Sequence, residues 1–220
     1  MISINNLLLA EINQSDRDIN LARAALYIAQ TTYPDLDIDG QLRLLDEMAE
    51  EVSKRLPQSR YPLMVIRTIN NYLYEELGFT GNHSNYYDPR NSFLNEVLAR
   101  RTGIPITLAL IYLEIAQRID FPMTAIGMPG HFMIRPDFED SEIFIDTFHN
   151  GDILFAEDCR QKLMNIYQQE IPYLTPSLVP PVTKPQFIAR MLNNLQVIYL
   201  DRGDLTNALV IKDLLSVVVI

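Results

Sequence analysis

Pro105-Ile106-Thr107-Leu108-Ala109-Leu110-Ile111-Tyr112-Leu113-Glu114-Ile115-Ala116-Gln117-Arg118 is apolar on nearly every side, interrupted only by Thr107, Tyr112, Glu114, Gln117 and Arg118. A helix without a polar face must be enclosed by other elements. This run is therefore read as the central buried helix, with Pro105 in its first turn, where a missing N–H costs little. Downstream the hydrophobic period changes from 3.6 to 2. Short β-like runs are expected over 124–128, 131–135 and 142–148, separated by Pro129-Gly130 and by a turn around Phe138-Glu139. A fourth strand over 152–155 follows the tight-turn pair Asn150-Gly151. Helices first and then an antiparallel meander give an α+β domain.

Upstream, apolar residues at three- and four-residue steps predict helices over 5–14, 16–31, 41–56 and 63–77, the last closed by Gly78. The segment 81–91 is polar and turn-rich, and an amphipathic helix is expected over 92–101. After the meander the spacing returns to helix over 156–167. Residues 168–185 carry Pro172, Pro176, Pro180, Pro181 and Pro185 and read as a linker. Beyond them, 186–200 and 205–217 form one helical hairpin, which must dock on the main domain or belong to a longer array. The expected division is 1–167, linker 168–185 and hairpin 186–220. Val217-Val218-Val219-Ile220 offers no polar cap, which leaves a longer native chain open.

With 220 residues, the chain is long enough to bury roughly 70% of its unfolded surface without staples. Its 28 acidic and 18 basic residues give a net charge of −10, which excludes the basic footprint of a non-specific nucleic-acid binder. One cysteine, Cys159, excludes an internal disulfide framework and a multi-cysteine zinc cage. No run approaches the ~20 apolar residues of a membrane span. Met1 to Ala10 lacks a cationic stretch and a cleavage signal, so a cytoplasmic protein is expected.

The residues that carry chemistry are few. Asp146 follows His131 by 15 residues, which sets the two roughly opposite each other in the expected hairpin. A carboxylate against an imidazole fixes its tautomer and raises its basicity, as in the supporting half of a catalytic triad. On spacing alone the default is a structural His–Asp hydrogen bond. A nucleophile belongs in the first turn of a helix packed on this sheet, where free N–H groups lower a thiol's pKa. Thr107 is there, and its default reading is a hydroxyl bonded to nearby backbone. Cys159 lies between Asp158 and Arg160 and reads as a small buried hydrophobe. His83, His131 and His149 show no metal-ligand spacing, so no metal site and no cofactor are expected unless the fold assembles one. Asn91 or Ser92 is expected to cap the helix that follows. Tyr86, Tyr87, Arg90 and Asn91 are candidate binding residues, because Tyr and Arg are common anchors. The eight carboxylates between Asp137 and Asp158 read as a solvated face.

Three stretches carry a resemblance: Tyr87-Asp88-Pro89-Arg90-Asn91-Ser92-Phe93-Leu94-Asn95-Glu96-Val97-Leu98 with Arg101-Thr102-Gly103-Ile104-Pro105-Ile106; Gly127-Met128-Pro129-Gly130-His131-Phe132; and Phe144-Ile145-Asp146. Together, over about residues 16–210, they resemble the SirB-type bacterial family. That resemblance implies a transglutaminase-like, papain-like α+β core followed by tetratricopeptide-like helices. It assigns the catalytic histidine to His131 and the aspartate to Asp146, and puts the cysteine position at Ile106 or Thr107. Neither side chain there supplies a thiolate. Asp120 stands where a helix-ending glycine is usual, and Thr147 where proline commonly follows the aspartate.

Three functions follow. The first is a non-catalytic module that binds a protein or peptide partner through a cleft around Tyr86, Tyr87, Arg90 and His131. The second is a residual amide hydrolase or acyl transferase using His131, Asp146 and a substitute nucleophile (Cys159, Thr107 or water). The third is a purely structural His–Asp pair. The binding module is favoured; the oligomeric state is not legible.

Overall fold

A computed structural model describes residues 3–129, 131–138 and 142–218. The turn expected at Phe138-Glu139, the Gly130 position and the last two residues thus lie wholly or partly outside the described residues. Helix α6, Pro105–Arg118, has the bounds read from its apolar run, and eleven of its residues, from Pro105 to Ala116, are buried. Each Leu- or Ile-sized side chain removed from water there contributes about 1.5–3 kcal/mol before entropy is subtracted. Asp120 ends the helix in the left-handed region, φ 56°, a conformation that Asp tolerates better than most residues.

On one side α6 packs against α3 (Ile38–Arg55) and, less extensively, α2 (Leu21–Gln30). On the other lies an antiparallel sheet in the order β3 (Met123–Met128), β4 (His131–Pro136), β5 (Phe144–Asp146), β6 (Asp152–Leu154). Alternation along the strands divides the sheet's faces. Ala125, Phe132, Ile134 and Ile145 join the main core with α6. Ile126, Met128, Met133 and Phe144 join a second core with Cys159 and Leu163 of α7 (Ala156–Tyr167). The result is the mixed helix-and-strand layering expected of the α+β reading.

The helix expected over 63–77 is two pieces: α4, Pro62–Asn70, runs into a π-helical turn, Asn71–Glu76. Gly78 follows with φ 72°. The expected 16–31 helix begins only at Leu21, capped by Asn20, and α3 begins at Ile38, capped by Asp37. A short α1 (Ile4–Ile12) precedes them. Strand β1 (Thr80–Gly81) pairs in parallel with β2 (Thr102–Gly103), and α5 (Leu94–Arg100) lies between them in sequence. Neither Asn91 nor Ser92 caps α5, which starts after Phe93 without a side-chain cap.

The proline-rich 168–185 segment lies along the free edge of β3. Gly127 N–H donates to Pro180 O at 3.0 Å, and Val182 N–H donates to Ala125 O at 2.9 Å. This covers an edge that would otherwise offer unpaired backbone groups. The hairpin α8 (Lys184–Asp201) and α9 (Leu205–Val218) then docks on α2 and α1. Phe187 seats α8 edge-on to Phe132 of the sheet, with ring centroids 5.0 Å apart. Among the described residues no helix is long and apolar enough to cross a membrane.

Candidate functional site

The start of β4, the end of β5 and the first turn of α6 meet at one point. Ile134 pairs with Ile145, so His131 sits diagonally, not directly, across from Asp146, on the same α7-facing side by parity. That is within reach of long side chains. His131 Nε2 lies 2.7 Å from Asp146 Oδ2. Asp146 is 1% exposed, and its other oxygen, Oδ1, accepts from the backbone N–H groups of Phe148 (3.2 Å) and His149 (3.3 Å). Those two bonds arise because β5 stops at Asp146 and curls into a 3-10 turn, Thr147–His149.

The same curl brings His149 back onto the carboxylate, with Nδ1 2.9 Å from Oδ2. Lys162 Nζ of α7 approaches that oxygen to 3.5 Å. Burial opposes ionisation of Asp146, but the hydrogen bonds and charges of His131 and His149 outweigh it and hold the carboxyl well below its usual range. An ionised carboxylate only accepts, so both imidazoles carry their shared proton on the nitrogen that faces it. His131 therefore keeps Nδ1 for other partners.

Asp146 also rests on neighbours that periodicity does not reveal. Thr147 Oγ1 donates to Pro105 O at 3.2 Å, tying the end of β5 to the start of α6. Asn70, where α4 gives way to the π turn, donates from Nδ2 to Gly151 O at 2.7 Å. Gly151 has φ 75°, and a Cβ there would stand 2.5 Å from Asn70 Oδ1, so the turn after Asp146 requires glycine.

His131 borders a cleft of about 360 Å³. Its floor is apolar: Pro105, Ile106, Met128 and Phe132. Tyr86 stands on one rim, and Arg190, Asn193 and Asn194 of α8 form the other wall. Among the described residues, none of these three α8 side chains makes a hydrogen bond or ion pair, and the Arg190 guanidinium lies 5.7 Å over the Phe132 ring. Sequence reading did not find this wall, because on α8 those residues look like an ordinary solvated face.

The other expected site residues divide. Ile106 faces the cleft. Thr107 is fully buried, its hydroxyl 2.7 Å from Asn91 O and 3.1 Å from Ile104 O, and it does not line the cleft. Asn91 is buried and shapes the loop, donating from Nδ2 to Asn85 O at 2.8 Å and Tyr86 O at 3.1 Å. Tyr87 stacks edge-on to Tyr86, and its carbonyl accepts from Arg202 at 3.0 Å, which ties this loop to the hairpin. Arg90 is engaged by Asp88, Nη2 to Oδ2 at 2.6 Å. Cys159 is fully buried in the second core, and burial pushes its thiol up to about 12. His83 packs on Phe148 and His149, at centroid distances of 4.4 and 5.6 Å.

The family model of the transglutaminase-like superfamily matches residues 41–193, from within α3 to the middle of α8. A UPF0162 protein of Xylella fastidiosa strain 9a5c is 36% identical over 187 residues, covering 84% of this chain and 66% of that protein. A UPF0162 protein of Vibrio cholerae is 27% identical over 207 residues, covering 92% and 76%. The human F-box only protein 21 is 30% identical over 223 residues, covering 87% of this chain and 34% of that one. The chain thus spans about two thirds of the Xylella relative's length. No solved structure matches it. With the match running through the helix that bears Ile106, both strands of the His131–Asp146 pair, and Arg190 and Asn193 of the α8 wall, the chain belongs to the transglutaminase-like superfamily, with the UPF0162 proteins.

Proposed function

We propose that the chain is a non-catalytic binding or regulatory module of the cytoplasm, which holds a protein or peptide segment in the cleft beside His131. One observation carries the reading: of Ile106 and Thr107, the two positions to which the family resemblance assigns the cysteine, only Ile106 lines the cleft, and its side chain has no electron pair to donate. The only thiol is buried in another core with its pKa raised, so it is not an activated substitute. The cleft itself suits recognition, with an apolar floor and a few polar groups at its rim, the usual composition of a binding site. The α8–α9 hairpin, which the tetratricopeptide-like reading makes an interaction element, adds exposed Val197, Leu200, Leu205 and Leu209 nearby in sequence to that wall. The acidic balance argues against a nucleic-acid partner.

The test is affinity capture from a bacterial lysate with mass spectrometry, using the full chain beside a Tyr86→Ala/Arg190→Glu variant. Both positions are exposed, so the variant keeps the fold. Proteins held by the native chain and lost by the variant support the reading. Equal recovery, or nothing above background, counts against it. A second reading rests on the 2.7 Å His131–Asp146 contact: a hydrolase in which His131 activates water. It requires a measurable amide-hydrolysis rate that His131→Ala abolishes.

A further inference from the structure

His131, Asp146 and His149 each present a ligand atom within 4.8 Å of the other two. We propose that these three side chains form a binding site for a divalent transition ion of the Zn²⁺ class. This goes beyond the peptide-binding reading and is independent of it.

The spacing is close to what coordination needs. Tetrahedral bonds of about 2.0–2.2 Å put ligand atoms about 3.3–3.6 Å apart, so each imidazole has to draw back by less than about 1 Å on binding. The two nitrogens stand 2.7 and 2.9 Å from Oδ2. The carboxylate is already oriented, because Oδ1 is held by the N–H groups of Phe148 and His149 while Oδ2 is the atom aimed at both imidazoles. Such outer hydrogen bonds fix a ligating oxygen in place. The donors come from three kinds of backbone (a strand start, a strand end and a 3-10 turn), so their convergence is a product of the fold and not of one helix's periodicity.

In the metal-free state the two imidazole protons fill the space between these atoms. Binding moves each proton to the ring's other nitrogen, which leaves both imidazoles neutral and presents three lone pairs inward. Lys162 Nζ, 3.5 Å from Oδ2 and 37% exposed, is at the long limit of contact and free to turn into solvent. Two imidazoles and one carboxylate oxygen suit Zn²⁺, Co²⁺, Ni²⁺ or Cu²⁺, whereas Mg²⁺ and Ca²⁺ prefer all-oxygen sets. Three protein ligands leave a position open. Since His131 also lines the cleft, that position lies beside it.

The experiment is calorimetric titration of the untagged, chelator-treated full chain with Zn²⁺, and in parallel with Mg²⁺, supported by the visible absorption of bound Co²⁺. One equivalent of Zn²⁺ is expected to bind in the micromolar range or tighter, with no heat from Mg²⁺. His149→Ala, at a side chain 45% exposed and therefore tolerated by the fold, should weaken Zn²⁺ binding by at least about 10-fold and abolish the Co²⁺ bands. No stoichiometric binding to the native chain, or binding that His149→Ala leaves intact, would overturn the proposal.

Discussion

His131 and Asp146 meet at 2.7 Å because β4 and β5 carry them diagonally on one face of the sheet, and Asp146 is the hub of that contact. Its carboxylate also receives His149 and the N–H groups of Phe148 and His149. Replacing it by alanine strands these donors in a buried site. Asp146→Ala is expected to cost about 2–4 kcal/mol in metal-free buffer, read from urea unfolding. His131→Ala removes one partner from the rim and is expected to cost about 1 kcal/mol. Equal costs would mean that the hub is not the carboxylate.

The hairpin is held to the sheet by Phe187, buried against Phe132. Truncating such a ring in a closed core costs about 3–5 kcal/mol. Phe187→Ala should therefore lower the whole chain's urea midpoint, not merely loosen residues 184–218. A first transition confined to the hairpin, with the core's midpoint unmoved, would show that the α8 wall is not integral to the cleft.

Asp88 caps the short 3-10 turn Pro89–Ser92 by accepting from Arg90 N–H at 3.0 Å. The Arg90 side-chain hydrogen bonds lower its carboxyl's pKa, against the opposing effect of burial. A carboxyl lowered on folding adds stability above its unfolded value of about 3.9, and that stability is lost as pH falls through the folded value. Asp88→Asn is thus expected to cost about 1 kcal/mol at neutral pH and to flatten the acid limb of the stability curve. Urea midpoints between pH 7 and acid test this; parallel curves for variant and native chain contradict it.

How much of this was readable in advance depended on locality. The α6 bounds were legible because a run that is apolar on nearly every side and starts with Pro105 reads as a buried helix at that length. The His131–Asp146 pairing was legible because two strands and a turn leave little freedom in parity, although the register moved the pair to a diagonal. His149 was not: extending the third strand through Phe148 hid the curl that turns the ring back onto Asp146. The break from α4 into the π turn also left no trace in the apolar spacing. Arg190, Asn193 and Asn194 lie far along the chain from His131, and only the docking of α8 makes them part of a cleft.

The central claim is that the cleft keeps its His–Asp pair but lacks a nucleophile, and thiol labelling tests it most directly. Iodoacetamide labelling at neutral pH would be followed for the native chain, for Ile106→Cys, and for Ile106→Cys with His131→Ala. Cys159 is buried, with its thiol raised to about 12, so the native chain should label only as fast as it unfolds. A cysteine at position 106 should label much faster, and slow again without His131. Rapid labelling of the native chain that His131→Ala slows would contradict the account, because it would mean that Cys159 reaches the imidazole and the cleft already has its nucleophile.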